Sequence, residues 1–168
     1  NMGNLSADLC EWDEAETEFS QALVLFERLG DRQMVANVLL NRSEVSFGRG
    51  NSHQALANCD LAFAIYAELG DEVGRGEALR WKGHGLRLHR EYEAAELALT
   101  SAMRIAERSR VRLLLAETWR EVGYLRRAQG RADDARLMLN RALALFKELG
   151  AERESRELTE ELTIPANC

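Results

Sequence analysis

The sequence predicts an all-α protein: a stack of antiparallel helix hairpins, about four units of 40 residues with a short helix at the end. Three observations carry this prediction. Only one of the 168 residues is Pro, while 46% are hydrophobic and 30% charged, which leaves little for a loop-rich β sandwich or a disordered linker. The chain is self-similar without a gap: Ala15, Ala55, Ala95 and Ala135 share one column of a 40-residue frame, and Ala22, Ala62, Ala102 and Ala142 another. Within each period the chain is punctuated every 20 residues, at Gly30, Gly50, Gly70, Gly130 and Gly150, with Arg90 and Arg110 at the two remaining marks.

Each element follows from that frame. The first unit, residues 1–30, reads as truncated. Asn1 aligns with Asn41 and Trp81, about nine residues into a first helix, so a turn is expected near residue 10, as if the chain were cut from a longer protein. The second helix of this unit carries Ala15, Phe19, Ala22, Leu23, Phe26 and Leu29 at helical spacing. Units 31–70, 71–110 and 111–150 are complete. A Gly just past a helix end adopts the left-handed conformation cheaply and closes the last turn. Asp31, Asn51 and Asp71 come next, and their side chains can accept from the free N–H groups of the following helix. The marks therefore predict helices of about 17–18 residues joined by turns of two or three. Gly3, Ser43, Gly83 and Gly123 form a small column midway along the first helices, where the two backbones of a hairpin can approach closely. The last element, residues 151–164, is a capping helix with Leu158 and Leu162 on one face, and Pro165 prevents its continuation.

The net charge of −6 conceals a split: residues 1–70 carry −7, residues 71–150 carry +4, and the last eighteen carry −3. A mildly acidic balance argues against nucleic acid as a direct partner. Cys10, Cys59 and Cys168 are odd in number and widely spaced, a poor disulfide framework and a poor zinc site. Reduced thiols and a cytoplasmic location are expected. No apolar run approaches a membrane span and no leader opens the chain, so no membrane partner is expected. The sequons at Asn4 and Asn41 fall in predicted helix and read as chance.

No catalytic set emerges. His84 and His89 are five apart, a spacing that does not place two imidazoles on one helical face, and no Glu follows His84 as in a zinc-protease motif. Gly83-His84-Gly85 lies inside a helix with no third Gly, unlike a dinucleotide loop. Glu14, Glu16 and Glu18 suit a solvated face near a helix start. Cys59 shares a column with Phe19, Leu99 and Leu139, which marks it as a core thiol. The expectation is a protein that is not an enzyme and takes no cofactor or metal.

Trp12-Asp13-Glu14-Ala15, Tyr92-Glu93-Ala94-Ala95 and Gly130-Arg131-Ala132-Asp133-Asp134-Ala135 resemble the Gly-Asp-Tyr-x-x-Ala turn of tetratricopeptide repeats. The Gly twelve residues before that Ala, the second Ala seven after it, and Trp119 at the place of the early Trp also match. The period is 40 instead of 34, and the Pro that commonly closes the second helix is absent. Such long repeats ending in Leu-Gly-Asp resemble a variant found in large bacterial transcriptional and signalling regulators. HEAT-type hairpins share the length but suit the Gly and Ala columns less well.

The resemblance implies a right-handed α-solenoid whose first helices line a concave groove. Carried over by column, the groove residues are Asn4 in the first unit and Asn37, Leu40, Glu44 and Phe47 in the second. In the third they are Glu77, Arg80, Trp81, His84 and Arg87, and in the fourth Glu117, Arg120, Tyr124 and Arg127. Arg80 and Arg120 share one column and Arg87 and Arg127 another, so four guanidiniums lie on one inner face. The planar guanidinium binds two oxygens at once. One reading is therefore a protein–protein interaction scaffold holding an acidic or C-terminal peptide segment, with Phe47 or Trp81 as apolar anchor. The competing reading pairs these Arg with Glu77, Glu117 and Glu121. An alternative role is a sensor or regulatory fragment of a larger regulator. Self-association through apolar surface around Leu5 and Leu9 of the truncated unit is a further expectation.

Overall fold

The structure, a computed structural model, describes residues 2–163, with side chains described from Trp12 onward. Among the described residues there are eight α-helices and no strand. They are α1 (Met2–Leu29), α2 (Arg32–Gly48), α3 (Ser52–Leu69), α4 (Glu72–Leu88), α5 (Tyr92–Ser109), α6 (Arg112–Ala128), α7 (Ala132–Leu149) and α8 (Glu152–Thr163). From α2 to α7 the helices alternate between 17 and 18 residues.

Every expected mark is a left-handed residue: Gly30, Gly50, Gly70, Gly130 and Gly150, and also Arg90 (φ 63°) and Arg110 (φ 58°). The two Arg adopt a backbone that disfavours a Cβ because complete helices on both sides leave the chain no other route. The caps follow the sequence too. Asp31 accepts from the Met34 N–H at 3.0 Å, Asp71 from Gly74 at 2.9 Å and Asn51 from Gln54 at 3.5 Å. Val111, the residue before α6, provides no side-chain cap. Replacing Arg110-Val111 by Gly-Asp should relieve the strain and supply the cap, stabilising the protein by roughly 2 kcal/mol. Thermal melts should show a midpoint raised by about 4–8 °C; an unchanged midpoint would mean the left-handed turn costs nothing here.

One expectation fails. In place of a turn near residue 10, α1 runs unbroken through Cys10 and Glu11 as a helix of 28 residues. The same column holds Gly50, Arg90 and Gly130, all left-handed. Arg90 turns without help from a Gly because two full helices pack across it. Cys10 carries no signal to stop a helix, and α1 continues through it. Leu5 and Leu9 have side chains outside the described residues, and the thiols of Cys10 and Cys168, Ile164 and Pro165 lie outside them as well.

Each helix packs on its neighbours in the chain. The even helices also touch each other, α2 with α4 and α4 with α6, while α3, α5 and α7 make no such contacts. The stack therefore bends toward its even side. Inside each hairpin the small column meets a large one. A Cβ on Gly83 would lie 2.5 Å from Leu99 Cγ, and one on Gly123 would lie 2.6 Å from Leu139. In the second unit both members are intermediate in size: Ser43 replaces the Gly and Cys59 replaces the Leu, and both are fully buried. Burial pushes the Cys59 thiol up to about 11, consistent with an inert core cysteine. At the C-terminal end Leu158 is buried in one cluster with Phe146, and Leu162 packs against that cluster.

Candidate peptide-binding groove

The even helices present one wall, and a rung recurs along it. In each case residues in the last two turns of one even helix hold a residue of the next, 34 and 37 positions on. His84 Nδ1 lies 3.1 Å from a Glu121 carboxylate oxygen, and Arg87 donates to the same carboxylate at 3.4 Å. One unit later Tyr124 donates to Glu161 at 2.9 Å and Arg127 pairs with it at 2.5 Å. One unit earlier the rung is aromatic: Phe47 stacks on Trp81 with ring centroids 6.1 Å apart, and His84 packs edge-on to both. Tyr124 also lies under the guanidiniums of Arg87 and Arg127, at 5.5 and 5.1 Å, a cation–π arrangement.

Burial decides what these groups are. Glu121 is 4% exposed. Burial alone would raise its pKa, but the His84 hydrogen bond and the His84 and Arg87 charges prevail and hold it down to about 2. It is an ionised carboxylate that accepts from Arg87, and His84 Nδ1 lies 3.1 Å from it and 3.2 Å from Arg87 Nη2. Arg80 is 5% exposed. It donates to Glu77 at 2.9 and 3.1 Å, lies 3.5 Å from Glu117 and covers Trp81. Burial would lower its pKa, but Glu77 and Glu117 outweigh this and keep it charged. Glu117 is shifted upward, first by burial and then by Glu77, against the pull of Arg80.

Three of the four guanidiniums expected to face a ligand are therefore held by the wall itself. Among the described residues Arg120 has no ion pair. It lies over the Phe146 ring at 5.5 Å, and its Nε is buried without a hydrogen-bond partner. Phe47 is buried in the core and cannot serve as an exposed anchor. Trp81 is partly exposed and Glu44 exposed. Asn37 accepts from the Tyr66 hydroxyl at 2.7 Å, and burial, with the charges of Asp71 and Glu77, pushes that phenol up to about 12. The Asn4 side chain lies outside the described residues.

Asn37, Glu44, Arg80, Trp81 and Arg120 nevertheless converge. They line one cavity of about 590 Å³ on the even wall, with Leu40, Asn41, Tyr66, Glu77, Glu117, Arg153 and Glu154. Its charges are mixed, four carboxylates against three guanidiniums. The α8 residues Arg153, Glu154 and Glu161 were not foreseen as part of this wall. The frame holds the signal: continued past residue 150, it puts Glu161 in the column of Glu121. Two further clefts lie between the odd helices, one of about 930 Å³ over Phe63, Arg75 and Arg104 and one of about 360 Å³ over Met103, Trp119 and Met138. Among the described residues no group of His, Cys, Asp and Glu could hold a metal ion, and no helix is long and apolar enough to cross a membrane.

No family model and no curated protein matches the chain. Among solved structures, the crystal structure of BtubC (BKLC) from P. vanneervenii is similar, with a TM-score of 0.69 at 18% identity over 94% of this chain and 74% of that one. A likeness at that identity establishes the helical architecture alone.

Proposed function

We propose that the chain is a right-handed α-solenoid of the tetratricopeptide type, three complete 40-residue units after a truncated one, with a cap, and a non-enzymatic scaffold that holds a partner segment along its even wall. The observation that carries this reading is the 590 Å³ cavity, where Trp81 and Tyr66 sit beside Arg120, a guanidinium with no ion pair among the described residues. A site of that size takes a few side chains of an extended peptide. The partly exposed part of Trp81 provides apolar surface and Arg120 a fork for a carboxylate. The surrounding Glu44, Glu77, Glu117 and Glu154 disfavour a uniformly acidic ligand, so the fitting segment pairs one carboxylate with an apolar residue.

Arg87 and Arg127 belong to the rungs, and reversing them would disturb the wall. Arg120 is the better probe. On an array of short peptides, wild type should retain those joining an acidic and an apolar residue, and Arg120→Glu should lose them while melting at the same temperature. Equal retention by both proteins would sink the groove reading.

A further inference from the structure

The repeat is broken most sharply in the third unit, and the breaks gather in one place. Arg75 stands where the other complete units have Val35 and Leu115. Arg104 replaces the Val24, Ala64 and Ala144 of its column, and Ser109 replaces Leu29, Leu69 and Leu149. All three line the cleft of about 930 Å³ between α3 and α5, two helices that make no contact with each other. Two smaller residues help to open it. One unit on, the cleft between α5 and α7 is about 360 Å³, with Trp119 in the column of Leu79 and Arg141 in that of Ser101.

We propose that this cleft binds a small organic phosphate, the phosphate on its guanidiniums and the organic part on its apolar floor. The ion pair that ties the outer end of each hairpin is reversed here. Arg32 and Arg112 pair with Glu68 and Glu148, whereas Glu72 pairs with Arg108 at 3.3 Å, which puts a third guanidinium beside Arg75 and Arg104. Glu72 also holds Arg75, which lies over the Phe63 ring at 5.1 Å. Among the described residues the buried Nε of Arg75 has no hydrogen-bond partner, and the exposed Arg104 forms no ion pair. Three guanidiniums face two carboxylates, Glu72 and Glu107, so the donors left over suit an anion. Helix α5 ends here, and its free carbonyls account for Arg108 in the last turn. They account for neither Arg75, on another helix, nor Arg104, a turn earlier. Because Arg75 enters from α4 and the other two from α5, their donors reach the space from two sides. That suits the three terminal oxygens of a phosphate better than a planar carboxylate. The Ser109 hydroxyl adds a donor at the rim, while that of Ser101 donates to the Leu97 carbonyl at 2.9 Å. Phe63, Leu79 and Ile105 form the floor, and a cleft of this size holds a whole small molecule. It shares no residue with the even-wall cavity, so the peptide reading stands or falls separately.

Protein-observed NMR titrations at low salt test the proposal, with phenyl phosphate, inorganic phosphate and benzoate as probes. Phenyl phosphate should shift the signals of α4 and α5 around the cleft and bind about tenfold more tightly than either of the other two. Arg104→Ala and Ser109→Leu install residues that the chain already carries in those columns, so both variants should melt as wild type does. Each should weaken phenyl phosphate about tenfold or more, whereas Arg120→Glu, on the even wall, should leave it unchanged. No binding of phenyl phosphate by wild type would overturn the proposal. So would binding that survives both Arg104→Ala and Ser109→Leu. Benzoate binding as tightly would overturn the choice of phosphate, and inorganic phosphate binding as tightly would overturn the role of the floor.

Discussion

Gly123→Val is expected to lower the stability of the protein by roughly 3 kcal/mol or more. A Cβ alone at this site would lie 2.6 Å from Leu139 Cγ and Cδ2 and 3.3 Å from the backbone oxygen of Ala135. Leu139 is buried at 3% exposure, so its branch point has nowhere to retreat, and the Ala135 carbonyl belongs to a helix. The added methyl groups of Val make the crossing impossible at its present spacing, and α6 and α7 must separate. In urea the midpoint should fall sharply with little change in slope. The second hairpin already contains the compensation, since Ser43 faces Cys59 where the others set Gly against Leu. Gly123→Ser combined with Leu139→Cys should therefore recover much of what Gly123→Ser loses alone, a strong departure from additivity. Additive losses would mean that the two columns do not pack on each other.

Glu121→Leu should cost a similar amount, roughly 3–5 kcal/mol, by leaving Arg87 and His84 without their common partner in a buried place. Here pH separates charge from packing. An unfolded Glu titrates near 4.3, whereas the folded group is held down to about 2. The carboxylate's stabilising contribution, roughly 3 kcal/mol, is complete above the unfolded value and is lost as pH falls toward 2. Denaturation of wild type and of Glu121→Gln, which keeps the shape and removes the charge, should differ clearly at pH 7 and converge as pH approaches 2. A gap that stays constant across that range would show the carboxylate acting through shape alone.

These two sites mark where sequence reading succeeds and where it stops. The close approach at Gly123 was legible because a small residue recurs there at a fixed interval; Leu139 as the side chain that fills the space was not. The left-handed turns were legible even at Arg90 and Arg110, since the rhythm of the neighbours predicts what the residue does not. The pairing of Glu121 was not decided. Columns place a side chain on a face, but whether Arg87 meets a ligand or a carboxylate 34 residues away depends on the spacing of adjacent units, which local periodicity does not encode. Phe47 had the same ambiguity and proved to be core. The course of α1 was misread for a related reason. The frame registers where a turn recurs, and it is silent on whether the packing around that position enforces one.

The contacts between helices, confined to chain neighbours and to alternate members of the even row, bear on how the molecule comes into being. Among the described residues no contact waits for a distant stretch of chain, so the entropy of closing large loops is not incurred there and folding should be fast for a chain of this length. Any hairpin can start the process and recruit the next on either side. The same wiring governs disassembly. Pulled from its ends, the molecule would give way helix by helix from the outside inward, behaving as a soft spring more than as a single brittle body.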